Sequence, residues 1–153
     1  IAKVLTTYQP DLKLRIPADA AYAGDNVYNT TGTGQSTAQS CQAGNTVLYL
    51  VHLQNDGNQD DRLRVTGTAG GNGWTVQYLD MQTLADLTAL VTGAGLTTEL
   101  LPPGLYRWIG VKITPSSSLA HGAVKDVVLT AVSTTDTAKT DVIKARTTYR
   151  AVP

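Results

Sequence analysis

TVLYLVHLQNDGNQDDRLRVTGTAGGNGWTVQYLD, residues Thr46 to Asp80, reads as three β-strands in series. Val47, Tyr49, Val51 and Leu53 alternate with Leu48, Leu50 and His52, the period of two that a strand imposes on a half-buried chain. Asn55-Asp56-Gly57-Asn58 then supplies residues that tolerate positive φ, and Leu63 and Val65 resume the alternation. A hairpin is expected at this turn, and Gly70-Gly71-Asn72-Gly73 marks the connection to the third strand.

Outward from this block the same grammar continues. Asp11 to Ile16 is a strand with Leu12, Leu14 and Ile16 on one side and Lys13 and Arg15 on the other, closed by Pro17. Leu105 to Thr114, Val124 to Thr134 and Asp141 to Tyr149 are further strands, and Leu96 to Leu101 is an extended run before Pro102-Pro103-Gly104. Leu84 to Val91 reads equally well as a short helix or a strand. Ala18 to Gly44 is a long polar excursion that Tyr22, Val27 and Tyr28 are expected to pin down; loops of this length have a purpose or hide a short strand. No internal repeat is expected along the chain. Strands at regular intervals with turn residues between them indicate two packed antiparallel sheets.

Composition agrees. The 153 residues suit one domain; there is no Phe, but seven Tyr and two Trp, with fourteen Gly and six Pro between the apolar runs. Twelve basic and twelve acidic residues cancel, so electrostatic binding to nucleic acid or an anionic membrane has no footing. No apolar stretch is long enough for a transmembrane helix. The single Cys41 excludes an internal disulfide and is expected to be a buried small side chain. Export is expected from the Thr, Asn, Asp and Gly excess, the single glutamate Glu99, and a start at Ile1, which reads either as a removed leader, the case that fits export, or as a segment excised from a longer protein.

Catalytic chemistry has little to draw on. His52 lies in a strand and His121 in a loop, with no Gly-x-Ser-x-Gly elbow, and the glycine-rich segments lack the context of a phosphate-binding loop, so no enzyme is expected. Asp56, Asn58, Asp60 and Asp61 concentrate oxygen donors that calcium would accept, although the turn reading outweighs it; no other cofactor is implied. Asn29-Thr30-Thr31 is a glycosylation sequon. Tyr106 and Trp108 share one outward face, where they suit either sugar stacking or a protein interface.

Several phrases resemble the immunoglobulin-like modules of bacterial and archaeal surface proteins, the group that includes CARDB-type and NEW3-type domains. They are Tyr8-Gln9-Pro10-Asp11-Leu12, Val51-His52-Leu53-Gln54-Asn55-Asp56-Gly57-Asn58, Val65-Thr66-Gly67, Gly73-Trp74-Thr75-Val76, Leu101-Pro102-Pro103-Gly104 and Val111-Lys112-Ile113-Thr114-Pro115. The resemblance implies an extracellular β-sandwich used as scaffold, spacer or adhesion module, without catalysis. Against it, Leu48, Leu50, Tyr106 and Trp108, with Val128 and Val132, make strands apolar on both faces, and such a sheet is covered on both faces.

The expectation is therefore an all-β, two-sheet, immunoglobulin-like β-sandwich over residues 10–153, preceded by a strand-forming arm over residues 1–9. The expected role is that of a self-assembling subunit of a surface filament or layer. Ile1, Val4 and Leu5 would add as a strand to the next copy, while Leu48, Leu50, Tyr106 and Trp108 bury against neighbours. Its partners would be other copies of itself. The alternative is a carbohydrate- or protein-binding repeat module of a large surface protein.

Overall fold

The computed structural model describes residues 2–153. Nine strands run in the order β1 (Pro10–Arg15), β2 (Ser36–Cys41), β3 (Val47–Asn55), β4 (Leu63–Gly67), β5 (Trp74–Asp80), β6 (Leu96–Thr97), β7 (Tyr106–Pro115), β8 (Val124–Ser133) and β9 (Thr140–Tyr149), with one helical turn, α1 (Thr88–Val91), between β5 and β6. One sheet has the order β1-β3-β7-β5 and the other β2-β9-β8-β4-β6. These match the A-B-E-D and G-F-C orders of the immunoglobulin plan, so the protein is a two-sheet immunoglobulin-like β-sandwich. β2 lies parallel to β9 and every other pair is antiparallel.

The alternation sets the inner faces. Leu12 and Leu14, Tyr49, Val51 and Leu53, and Ile109, Val111 and Ile113 are fully buried from the first sheet. Leu63 and Val65, Val127, Leu129 and Ala131, and Ile143 and Ala145 meet them from the second. The two largest fully buried side chains keep their hydroxyls bonded: Tyr49 donates to Arg146 O at 2.6 Å and Tyr78 to Thr68 O at 2.7 Å. Trp74 and Cys41 join the buried set, at 7% and 5% exposure.

The expected hairpin at Asn55–Asn58 is a crossover, because β3 and β4 belong to opposite sheets. Asn55 forces this exit. Its buried amide donates to Gln59 O and Leu101 O and accepts from Gly57 N, which ties the turn to the 101–105 connection rather than to a returning strand. The excursion contains the strand β2, and Leu84–Val91 divides into a bridge at Asp86 followed by α1. Of the extended run Leu96–Leu101 only β6 pairs as a strand, with an isolated bridge from Leu101 to Asp61. Leu105, on the same alternation as the buried Ile109, Val111 and Ile113, is nevertheless 53% exposed.

Both edges of the first sheet are closed. Leu14 and Ala23 exchange backbone bonds of 3.0 and 2.7 Å along β1, and the 84–88 segment covers β5 through Leu87 N to Tyr78 O and Asp80 N to Ala85 O. β2 and β6 end the second sheet.

Candidate functional site

Two surfaces carry the side chains that the sequence singles out for contacts: the arm before β1, and the outer face of the first sheet.

The arm forms no strand over residues 2–9. The turn after β3 holds its backbone. Asn58 donates from Nδ2 to Leu5 O at 2.6 Å and from its backbone N to Thr7 O at 3.0 Å, while its Oδ1 accepts from Thr7 N at 2.8 Å. Asp56 N donates to Gln9 O at 2.8 Å. Its apolar side chains have no such hold: Val4 is 81% exposed and Leu5 73%. Ile1 lies outside the described residues.

The outer sheet face departs from expectation at Leu50, which is 6% exposed and so unavailable to a neighbour. It sits between Arg15 of β1 and Gly110 of β7. Met81 reaches back from the end of β5 so that its sulfur and Leu48 occupy the space over Gly110, where any Cβ would collide with that sulfur. Leu79, the other cross-strand neighbour of Gly110, is 7% exposed. The chain thus covers this part of its own apolar face, and Leu48 is left half-buried.

Further along the same face the cross-strand pair His52–Trp108 builds an aromatic cluster. His52 stacks between Tyr22 of the excursion, at 4.3 Å between ring centroids, and Tyr106, at 3.9 Å, while Trp108 meets it edge-on at 6.3 Å. Arg15 lies over the Tyr22 ring at 5.3 Å. Burial pulls the His52 imidazole down to about 4, with Lys13 and Arg15 adding to the effect, so the ring is neutral at physiological pH and shares a 2.9 Å hydrogen bond with the Tyr22 hydroxyl. An open cavity of about 470 Å³ lies against these rings, with Arg15, Asp19 and Ala20 at its border. Tyr106 is 49% exposed, and the buried Trp108 Nε1 has no acceptor among the described residues. Alternation alone placed Tyr106 and Trp108 here. Tyr22 and Arg15 join them only because the excursion folds back along β1.

The proposed calcium ligands are dispersed. Asp56 accepts from the Tyr28 hydroxyl at 2.6 Å, Asn58 holds the arm and Asp60 is exposed. Asp61 is buried and accepts from Ser133, Thr135 and its neighbour Arg62 N. Because the turn crosses between sheets, these oxygens point to different partners, and no cluster of three acidic, His or Cys side chains suited to a metal exists among the described residues. Asn29 of the sequon accepts from Thr31 N and Gly32 N and donates to Thr33 O, so its amide closes a local turn. His121 accepts from Ala151 N.

A group of carboxyls that the sequence did not single out lies beneath the excursion. Asp141 accepts from Leu12 N, Gln35 Nε2, Val142 N and Asn29 N at 2.7, 2.7, 3.0 and 3.2 Å, which joins β1, the excursion and β9 at one side chain. Asp11 is fully buried nearby, with Oδ2 accepting from Asn26 N and Oδ1 unpartnered.

Among solved structures, the N-terminal domain of PorA is similar to this chain at a TM-score of 0.55 and 7% identity, over 90% of this chain and 96% of that one. A family 123 glycoside hydrolase from Clostridium perfringens is similar at a TM-score of 0.56 and 5% identity, over 94% of this chain but 27% of the hydrolase. At such identities the likeness is one of fold. No family model and no curated protein matches the sequence, so the architecture implied by the CARDB-type and NEW3-type resemblance stands without a family assignment.

Proposed function

We propose that the chain is a non-catalytic, extracellular structural module that works in contact with further copies of itself through the N-terminal arm. The observation that carries this reading is the contrast within the arm: a backbone gripped by Asn58 beside Val4 and Leu5 side chains that are 81% and 73% exposed. Holding apolar side chains in water in an extended, tethered segment favours their burial against a neighbour, each contributing about 1.5–3 kcal/mol when fully covered. The exported location follows from the composition and from the resemblance to surface modules. Light scattering across a concentration series tests the contact. The whole chain should gain mass with concentration, and the chain lacking residues 1–7 should stay monomeric with an unchanged unfolding midpoint. A whole chain that remains monomeric throughout would remove association between separate chains.

A second reading has its own observation in the aromatic cluster, where an exposed Tyr106 ring and the Trp108 side chain border an open cavity. Aromatic faces of this kind stack on sugar rings. Titration with oligosaccharides should then give a saturable change in Trp fluorescence that Tyr106→Ala removes; a flat titration would sink this reading.

A further inference from the structure

The arm repeats the last strand. Lys3-Val4-Leu5-Thr6-Thr7-Tyr8 and Lys144-Ala145-Arg146-Thr147-Thr148-Tyr149 share the lysine, both threonines and the tyrosine at one spacing, 141 residues apart. The strand pattern conceals this duplication because it is short and one copy forms no strand. In β9 the core-facing positions are Ile143, Ala145 and Thr147, all fully buried, and Tyr149 at 4% exposure. Their counterparts in the arm are Ala2, Val4, Thr6 and Tyr8. Two are identical. At the other two a large and a small residue change places between adjacent inward positions, which keeps the summed volume close to constant, the kind of change that cores tolerate. The retained threonine has a task in β9, where its hydroxyl lies 3.0 Å from the Tyr49 hydroxyl.

We infer that the arm is the β9 strand of another copy of this sandwich, joined in series with a period of 141 residues. This rests on the reading that copies of the sandwich are its partners. Within one chain the position between β2 and β8 is already filled by β9, so the arm has no seat, and Val4 and Leu5 stay bare. On β9, Lys144 N and Arg150 N donate to Gln35 O and Cys41 O, so alternate residues from Lys144 onward face β2. Of the matching arm residues, Lys3, Leu5, Thr7 and Gln9, the Asn55–Asn58 turn engages the last three. The turn therefore stands in for β2. In the series, Leu5 and Thr7 exchange their Asn58 contacts for bonds to the β2 of the copy before, and the Asp56 N to Gln9 O bond remains at the joint. Gln9 alone then separates the end of that strand at Tyr8 from β1 at Pro10, and a one-residue joint makes successive sandwiches a stiff rod instead of a flexible string.

Writing the arm sequence into β9 tests the equivalence. Ile143→Ala alone opens a cavity and Ala145→Val alone overpacks the core, so each should lower the urea midpoint of the full chain. The triple variant Ile143→Ala/Ala145→Val/Arg146→Leu should recover most of that loss and unfold in one cooperative step. A triple midpoint at or below the sum of the single losses, or a triple variant that fails to fold, overturns the inference. The result is independent of whether separate chains associate. Residues 1–149 followed by residues 9–153 in one polypeptide give the second readout. Amide exchange at the joining Lys144–Tyr149 strand should be as slow as in the single chain, with a scattering profile of a rigid pair. Exchange as fast as that of the free arm, or the profile of a freely jointed pair, overturns it.

Discussion

Replacing Asp141 by alanine is expected to cost about 3–4 kcal/mol of folding stability, because a buried N–H stripped of its acceptor costs about 1–3 kcal/mol and four donors converge on this carboxylate. The total falls below the sum because water can enter beside Asn29, which is only half-buried. The damage is directional. Leu12 N is the edge donor of β1 and Gln35 leads into β2, so the variant should loosen the excursion against the sandwich before it loosens the hairpin of β8 and β9. Urea unfolding measures the total, and amide exchange at Leu12 reports the local part. Asp141→Asn should lose less, since its amide oxygen can retain part of the set. A loss under about 1 kcal/mol for the alanine variant would show that the excursion finds other acceptors.

Stability is also expected to fall by about 3–4 kcal/mol between pH 5 and pH 8 through Asp11. Burial pushes this carboxyl up to about 8, against the lowering effect of the Asn26 N–H bond and with Asp56 and Asp141 raising it further. The unfolded chain ionises Asp11 near 3.8, so above that pH the folded state holds a proton that the unfolded state has lost. A raised folded value gives stability that is fully present below the unfolded pKa and is lost as pH climbs through the folded one. Asp141, also raised by burial, acts in the same sense. Asp11→Asn carries no ionisable group and should flatten the decline between pH 5 and pH 8. Chemical denaturation at three pH values across that interval checks it, and an unchanged slope in the variant would remove Asp11 as the cause.

The period of two in Val47–Leu53, Leu105–Ile113 and Val124–Val132 was enough to recover the long strands and the face on which Tyr106 and Trp108 stand. Alternation is a local property of the extended backbone and survives without any neighbour. The same logic failed at Leu50. The alternation placed it outward correctly, but whether an outward residue is bare depends on Met81, thirty-one residues later, filling the space over Gly110. At Asp56, Asn58, Asp60 and Asp61 the sequence favoured a turn over a calcium site, and only the crossover between sheets shows that these side chains go to different partners. β2 was hidden because Ser36–Cys41 is small and polar with a single core-facing anchor in Cys41. The aromatic cluster was half legible, since His52 and Trp108 are strand residues, while Tyr22 arrives on a loop whose path has no periodicity.

The sequence by itself determined an all-β chain, the inward residues of its long strands and, in the shared Lys-x-x-Thr-Thr-Tyr of the arm and the last strand, an identity between two segments 141 residues apart. The tertiary structure alone decided the pairing of β2 beside β9, the closure of the outer sheet face, the convergence of four donors on Asp141 and the meaning of that identity. It is the filled position between β2 and β8 that leaves the arm without a seat. Strand character is encoded residue by residue, whereas occupancy of a core position is settled by whichever segment packs there, and that competition is resolved only between parts of the chain that are distant in sequence.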